Sequence, residues 1–267
     1  MIPDQRRERL LVELRGAGVL SVRELVDLLG VSHMTVRRDI ASLETEGRVA
    51  SVPGGVRLVD QLHSEPPYRT KASVRLEEKR AIARETVGLI GNDQVVYLDA
   101  GTTLGQVAPL LWSHTGLTVV TNDLTTAVLL SEHPGLELYH LGGRVDRANR
   151  STVGELTARA VRELNLDVAL ISTSSWDERR GSTTPHEAKV PVKQAAMQVA
   201  TRSYLVAGSE KYGTVGTFRV ADLTGFDAVV TDSGLPAAVA ARLREHGVTL
   251  RTAAPPPGEA SAPMFAP

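Results

Sequence analysis

The chain has no cysteine among its 267 residues. That excludes disulfides, thiolate metal sites and a cysteine nucleophile. The seven histidines are scattered and never fall at the i,i+4 spacing of a zinc-binding helix, so no metal is expected. Long apolar runs are missing too: no stretch approaches the roughly 18 consecutive apolar residues of a membrane span. The opening "MIPDQRRERL" lacks the apolar run of a signal peptide, and a cytoplasmic protein with no membrane partner is expected. Nor is there a charge excess, the formal net charge being −1. Residues 1–60 hold nine Arg, nine Asp or Glu and no Lys, so a surface that faces DNA must come from spatial segregation of the arginines. What remains is an ordinary globular composition, 42% hydrophobic and 23% charged. The length suits one large domain, or a small one and a medium one.

The first sixty residues are the most strongly patterned. "RRERLLVEL" is charged and periodic and runs into the glycines of "RGAG", which reads as a first helix. Ser21 with Glu24 three residues on forms a capping box ahead of "VRELVDLLG", a second helix ending at Gly30. Ser32 is the expected N-cap of a third helix, with Gly47 as its C-terminal punctuation. In this third helix Val36, Ile40 and Leu43 share one face at about 100° per residue, while Met34, Arg38, Ala41 and Thr45 lie close to opposite it. Two β-prone runs around Pro53, Gly54 and Gly55 then read as a hairpin, so the order is that of a winged helix-turn-helix. The second helix of such a motif enters the major groove by its N-terminal residues. Ser32, His33, Thr35, Arg37 and Arg38 are therefore the candidate contacts with double-stranded operator DNA, with Arg48 and Arg57 on the wing set to meet phosphates. In an isolated helix Arg37 and Arg38 would read as a solvated amphipathic face paired with Asp39, Glu44 or Glu46, but the ordered run of caps, turn and hairpin around them favours the DNA contact.

The stretch "LLGVSHMTVRRDIASLETEGRV" resembles the recognition helix of the DeoR family of bacterial transcriptional regulators. The resemblance implies that Thr35, Arg37 and Arg38 contact operator DNA and that Asp39 holds the motif together. Where the family usually has a basic, His-Gly-Gly-like wing turn, this chain has "SVPGG".

Residues 60–73, "DQLHSEPPYRTKAS", are polar and carry Pro66 and Pro67, which disfavour helix. The expected organisation is a winged helix-turn-helix domain over 1–59, a linker over 60–73, an α/β domain over 74–252 and a Pro/Ala-rich disordered tail over 253–267. In the third segment helical and strand-like stretches alternate at the spacing of βα units, predicting a mostly parallel sheet. Ligands of such sheets bind outside the carboxyl ends of the strands. Those ends are polar here: "LDAGTT" offers Asp99, Gly101, Thr102 and Thr103, with amides and hydroxyls suited to a phosphate. "VVTND" supplies Asn122 and Asp123, "YHLGG" supplies Gly142 and Gly143, and "GSEKYG" supplies Glu210 and Lys211.

The same half is similar to the DeoR sensor domain, built like the sugar-phosphate isomerases, in "LDAGTT", "LTVVTNDL", "LGGRVDRANRSTVG", "VKQAAM" and "SEKYG". The resemblance implies a pocket for a phosphorylated sugar or related metabolite, with no further cofactor. Gly101, Thr102 and Thr103 would hold the phosphate, and Asp99, Asn122, Asp123, Gly142 and Gly143 would surround the sugar. Lys193 and Lys211 would add positive charge. Two departures stand near that pocket: "AGSEKYG" where the family often has Ala-Asp-Ser-Ser-Lys-Phe-Gly, and "ISTSSWD" where it often has a Gly-rich strand end. The functional expectation is a ligand-released repressor of a carbohydrate operon, a dimer or tetramer, and not an enzyme. The alternative is a sugar-phosphate isomerase with an accessory DNA-binding module, for which Asp99, Asp123 and Glu210 would be the candidate bases.

Overall fold

The computed structural model describes residues 2–254 apart from 47, 60 and 63. Gly47 and nearly all of the expected tail thus lie outside the described residues. The N-terminal domain comprises helices α1 (Pro3–Ala17), α2 (Val22–Leu29) and α3 (His33–Thr45), with strands β1 (Val19–Leu20), β2 (Val49–Val52) and β3 (Gly55–Leu58). The capping box at Ser21 and Glu24 forms as the spacing predicts, and α2 ends on Gly30 at φ +64°, a conformation glycine adopts without steric cost. Leu10, Leu14, Leu25, Val36, Ile40, Leu43 and Val56 close one small core. Strand β1 was not legible in the sequence. It pairs antiparallel with β3 and completes the order β1-β3-β2.

The connection is more ordered than its prolines suggest. Strand β4 (Gln61–Leu62) and helix α4 (Tyr68–Ser73) lie within it, the helix starting immediately after Pro67. The prolines set the helix start. Lys79 bridges the far end of α4, its ammonium donating to the carbonyls of Lys71 and Val74.

The larger domain runs α5 (Leu76–Val87), β5 (Val95–Leu98), β6 (Thr118–Thr121), α6 (Leu124–Ser131), β7 (Glu137–His140), the hairpin β8 (Arg144–Asp146) and β9 (Ser151–Val153), then α7 (Glu155–Arg162). It continues through β10 (Leu166–Ser172), β11 (Ser175–Asp177), β12 (Gly181–Thr184), α8 (Val190–Val199), β13 (Ala200–Val206), β14 (Val215–Gly216), β15 (Phe218–Ala221), β16 (Ala228–Thr231), α9 (Ala237–Glu245) and β17 (Leu250–Thr252). Seven strands form one parallel sheet in the order β17-β16-β13-β10-β5-β6-β7. Its central strands are buried on both faces, as crossover helices require. Val96 and Leu98 point to one core, while Tyr97 between them points to the other. The stretch "LGQVAPLLW" forms two short 3-10 helices rather than an α-helix.

From β5 the chain moves outward through β6 and β7, then returns to the other flank of β5 as β10. The strand order therefore reverses between β5 and β10. This is the switch point at which open α/β sheets leave a crevice.

Candidate functional site

On α3, Ser32 caps the helix by accepting from the Thr35 amide at 3.2 Å, and its hydroxyl lies 2.9 Å from that of Thr35. His33, Arg37 and Arg38 are exposed beside Met34, which is 69% exposed. The acids that might have neutralised the two arginines are engaged elsewhere. Asp39 is buried and accepts from Arg6 of α1. Glu46 faces Arg7 at 3.5 Å, and Glu44 accepts from the Ser51 amide at 2.8 Å and from Arg242 at 3.2 Å. Among the described residues nothing pairs with Arg37 or Arg38, so the solvated-helix alternative lacks its ion pairs.

The wing differs from expectation. Arg48 is exposed but meets Glu8 at 2.7 Å. Arg57 turns away from the α3 surface and donates from Nη2 to the Tyr212 carbonyl at 2.8 Å. It lies at a seam between the two domains with Arg242, which reaches both Glu44 and Glu178, and with Arg179, which donates to the Thr45 carbonyl at 3.0 Å. The assignment of Arg57 to phosphate contact is corrected accordingly: a strand residue alternates faces, and position 57 faces the neighbouring domain.

A cavity of about 210 Å³ opens at the β5/β10 switch point. Its walls include Asp99, Gly101, Thr102, Thr103, Asn122, Lys193 and Lys211, all expected from the sequence. Asp99 is buried at the end of β5. It accepts from the Ser172 amide at 3.0 Å, from the Ser172 hydroxyl at 2.8 Å and from the Lys193 ammonium. Asn122 is a brace as much as a wall, since its carbonyl accepts from the Ala100 amide and the Tyr97 hydroxyl, each at 3.0 Å. The amide of Gly101 is taken by Asp123 at 3.1 Å. Among the described residues nothing hydrogen-bonds the Thr102 and Thr103 amides or hydroxyls.

Three expected residues do not line the cavity. Asp123 caps α6, accepting from the amides of Thr125 and Thr126 at 2.8 and 2.9 Å. Burial pushes its carboxyl above the usual aspartate range against the pull of those amides. Gly142 and Gly143 are exposed between β7 and β8. The Gly142 carbonyl accepts from Thr157 at 2.9 Å, and Gly143, at φ +145°, lies so close to the Thr157 hydroxyl that no side chain fits there. Gly143 serves the packing of α7, a Cβ at Gly142 would meet nothing within 4 Å, and neither glycine lines the cavity.

The cavity also holds residues that sequence reasoning missed. Glu65, Pro66 and Lys71 come from the connection, Asn149 and Ser151 from the loop into β9 and its start, Ser172, Thr173 and Ser174 from the end of β10, and Lys189 from the turn before α8. Lys189 lies four residues before Lys193, and that spacing was a usable signal. Glu65 carried none. Its carboxylate sits 2.8 Å from Lys71 Nζ and 2.9 Å from Lys189 Nζ and accepts from the Ser174 hydroxyl. Burial alone would raise its pKa, but the two ammonium groups outweigh that and hold it well below the usual glutamate range. Lys211 donates to the Thr173 carbonyl at 2.8 Å, and burial lowers its pKa against the pull of Glu210.

Residues 6–62 match the DeoR-like helix-turn-helix domain, and residues 74–233 match the DeoR C terminal sensor domain. The chain belongs to the DeoR family. It is 43% identical over 94% of its length to an uncharacterized HTH-type transcriptional regulator of Haemophilus influenzae, 97% of which is covered. It is also 32% identical to the transcriptional regulator GlpR of Haloferax volcanii, over 94% of this chain and 98% of that one. A transcriptional repressor of Agrobacterium fabrum, AccR, is 32% identical over 86% of this chain and 90% of its own. Among solved structures, a ribose-5-phosphate isomerase in complex with phospho-erythronic acid superposes with a TM-score of 0.39 at 17% identity, over 51% of this chain and about half, 54%, of that one. As a DeoR-family member the chain is a DNA-binding transcriptional regulator with a sensor domain. Among the described residues no helix is long and apolar enough to cross a membrane.

Proposed function

We propose that this DeoR-family regulator is a cytoplasmic repressor of a carbohydrate-use operon, released from its operator when a phosphorylated sugar or related metabolite enters the β5/β10 cavity. The observation that carries the reading is the cavity itself. It is sized for a small metabolite and lined by four lysines, hydroxyls and the free amides of Thr102 and Thr103, a donor set suited to a polyhydroxylated anion. Two of the three carboxylates that an isomerase could use as a base are tied down, Asp99 by Lys193 and Ser172 and Asp123 as the cap of a helix outside the cavity, while Glu210 stays in the cavity wall.

Ser32, His33, Thr35, Arg37 and Arg38 read the operator, with Arg48 beside them on the phosphates. Asp99, Thr102, Thr103, Asn122, Lys193 and Lys211 receive the effector. The protein works as a homo-oligomer, because helix-turn-helix domains occupy paired half-sites as two-fold pairs. Ligand binding favours a conformation in which the two recognition helices no longer match the half-site spacing. The test is fluorescence anisotropy of the full-length protein on the intergenic DNA beside its own gene, with phosphosugars added in turn. Release by one phosphosugar at concentrations that leave scrambled DNA unaffected is the expected result. Demonstrable binding of phosphosugars with no change in operator affinity overturns the reading.

A further inference from the structure

Glu65 is an acid where a ligand's acid would be expected. Three donors converge on its carboxylate from three separate elements: Lys71 on α4, Lys189 in the turn before α8, and Ser174 after β10. Lys71 is oriented by the Asn149 side chain at 2.8 Å, and α4 itself is tied by the Tyr68 amide to the Ala148 carbonyl at 2.8 Å. Each donor also has a contact that Glu65 does not supply, Lys189 with Asp146 at 3.9 Å and Ser174 with the Thr184 hydroxyl at 3.3 Å. The site is thus a preformed anion receptor whose occupant arrives in cis. None of its three donors belongs to the Gly101–Thr103 loop.

We propose that Lys71, Lys189 and Ser174 form a second anion subsite, that Glu65 fills it in the ligand-free protein, and that an acidic group of the effector, carboxylate or phosphate, takes its place. The proposal deepens the effector reading and rests on this cavity being the effector's. Glu65 belongs to the segment of the cavity wall that follows the wing in sequence. Leu62, three residues earlier and also in the wall, pairs through β4 with β14. Eviction of Glu65 therefore loosens the strand pairing through which the connection grips the sensor domain. Ligand occupancy is in this way converted into freedom for the DNA-binding domain.

The test uses the full-length protein and inorganic phosphate, with acetate titrated in parallel, read by calorimetry and thermal shift. Glu65→Gln binds phosphate or acetate at least about tenfold more tightly than wild type, as for a site that its internal carboxylate leaves open one-tenth of the time or less. The tighter of the two anions tells a phosphoryl group from a carboxyl group. Adding Lys189→Met to Glu65→Gln abolishes the gain. An equal affinity in wild type and Glu65→Gln, or a gain that survives Lys189→Met, overturns the proposal.

The wild-type chain gives a reading that does not depend on a variant folding. Saturating anion speeds amide hydrogen exchange in the β4/β14 pair, and unchanged or slower exchange there, with binding demonstrated, contradicts eviction. These readouts involve no operator. Should no phosphosugar release DNA while the Glu65→Gln gain stands, the effector reading falls and the subsite remains; the converse result removes the subsite alone.

Discussion

Arg37 and Arg38 stand in solvent on α3 with Asp39, Glu44 and Glu46 committed to other partners, whereas Lys71, Lys189 and Lys193 line the cavity, the last two buried, with a carboxylate against each. The difference follows from hydration. An exposed guanidinium keeps its water and needs no partner, so it stays available to phosphates and base edges. A buried ammonium without a partner is costly, so the fold supplies one, and a ligand must displace it. The α3 arginines are thus open in the resting protein, whereas these cavity lysines are already paired. On the proposal above, ligand binding at the second rearranges the chain, while binding at the first need not.

The largest effect expected from breaking this contrast is on stability. Lys193→Met leaves the buried Asp99 carboxylate without its cation, and a cost of about 3–5 kcal/mol is expected by urea unfolding. A loss below about 1 kcal/mol would mean that the pair is not enclosed as described. Acid probes the same contrast without a mutation. The Glu65 carboxyl is held below its ordinary range in the folded state, so its contribution is present above the unfolded glutamate pKa and is lost as pH falls through and below that range. Thermal unfolding against pH should therefore slope more steeply for wild type than for Glu65→Gln below about pH 5. Parallel profiles would remove Glu65 from the buried network.

On the exposed side the readout moves from stability to affinity. Arg38→Ala should cost about 1–3 kcal/mol of operator binding and lower the salt slope, with an unchanged urea midpoint. Undiminished operator affinity would return Arg38 to the solvated face of an ordinary helix. The smallest change is expected at Arg48, whose exposed pair with Glu8 should shift stability by no more than about 1 kcal/mol when Arg48 becomes Ala. The same variant should weaken binding to specific and scrambled DNA alike, because a phosphate contact carries no base information. A loss confined to the operator would make Arg48 a base reader.

How much of each region could be read in advance follows the same division. The N-terminal helices were legible because capping, periodicity and turn glycines are local: Ser21 with Glu24, Ser32 and Gly30 each act within one turn of their neighbours. The sheet was legible in kind, through alternation of strand and helix, but β1, α4 and the small strands of β11, β12 and β15 were not. Strands β1 and β15 owe their form to partners far along the chain, at β3 and β12, and the β11/β12 hairpin is joined to that distant strand. Strand-end polarity located one wall of the cavity at Asp99, Thr102, Thr103 and Asn122. It also pointed to Gly142 and Gly143, which do not line the cavity, Gly143 being packed against Thr157 instead. Glu65 and Arg57 were beyond local reasoning altogether, their partners lying up to 124 and 155 residues away. A polar residue in a proline-containing connection looks like solvent-facing linker until the tertiary structure supplies its partners.

The most direct single measurement pairs operator titration with ligand calorimetry on one variant, Arg37→Ala combined with Arg38→Ala. The expected result is loss of operator preference over scrambled DNA with phosphosugar binding unchanged, because the open cations and the enclosed ones serve different partners. Operator affinity equal to that of wild type would contradict the assignment of α3 to DNA and with it the division of labour between the two regions.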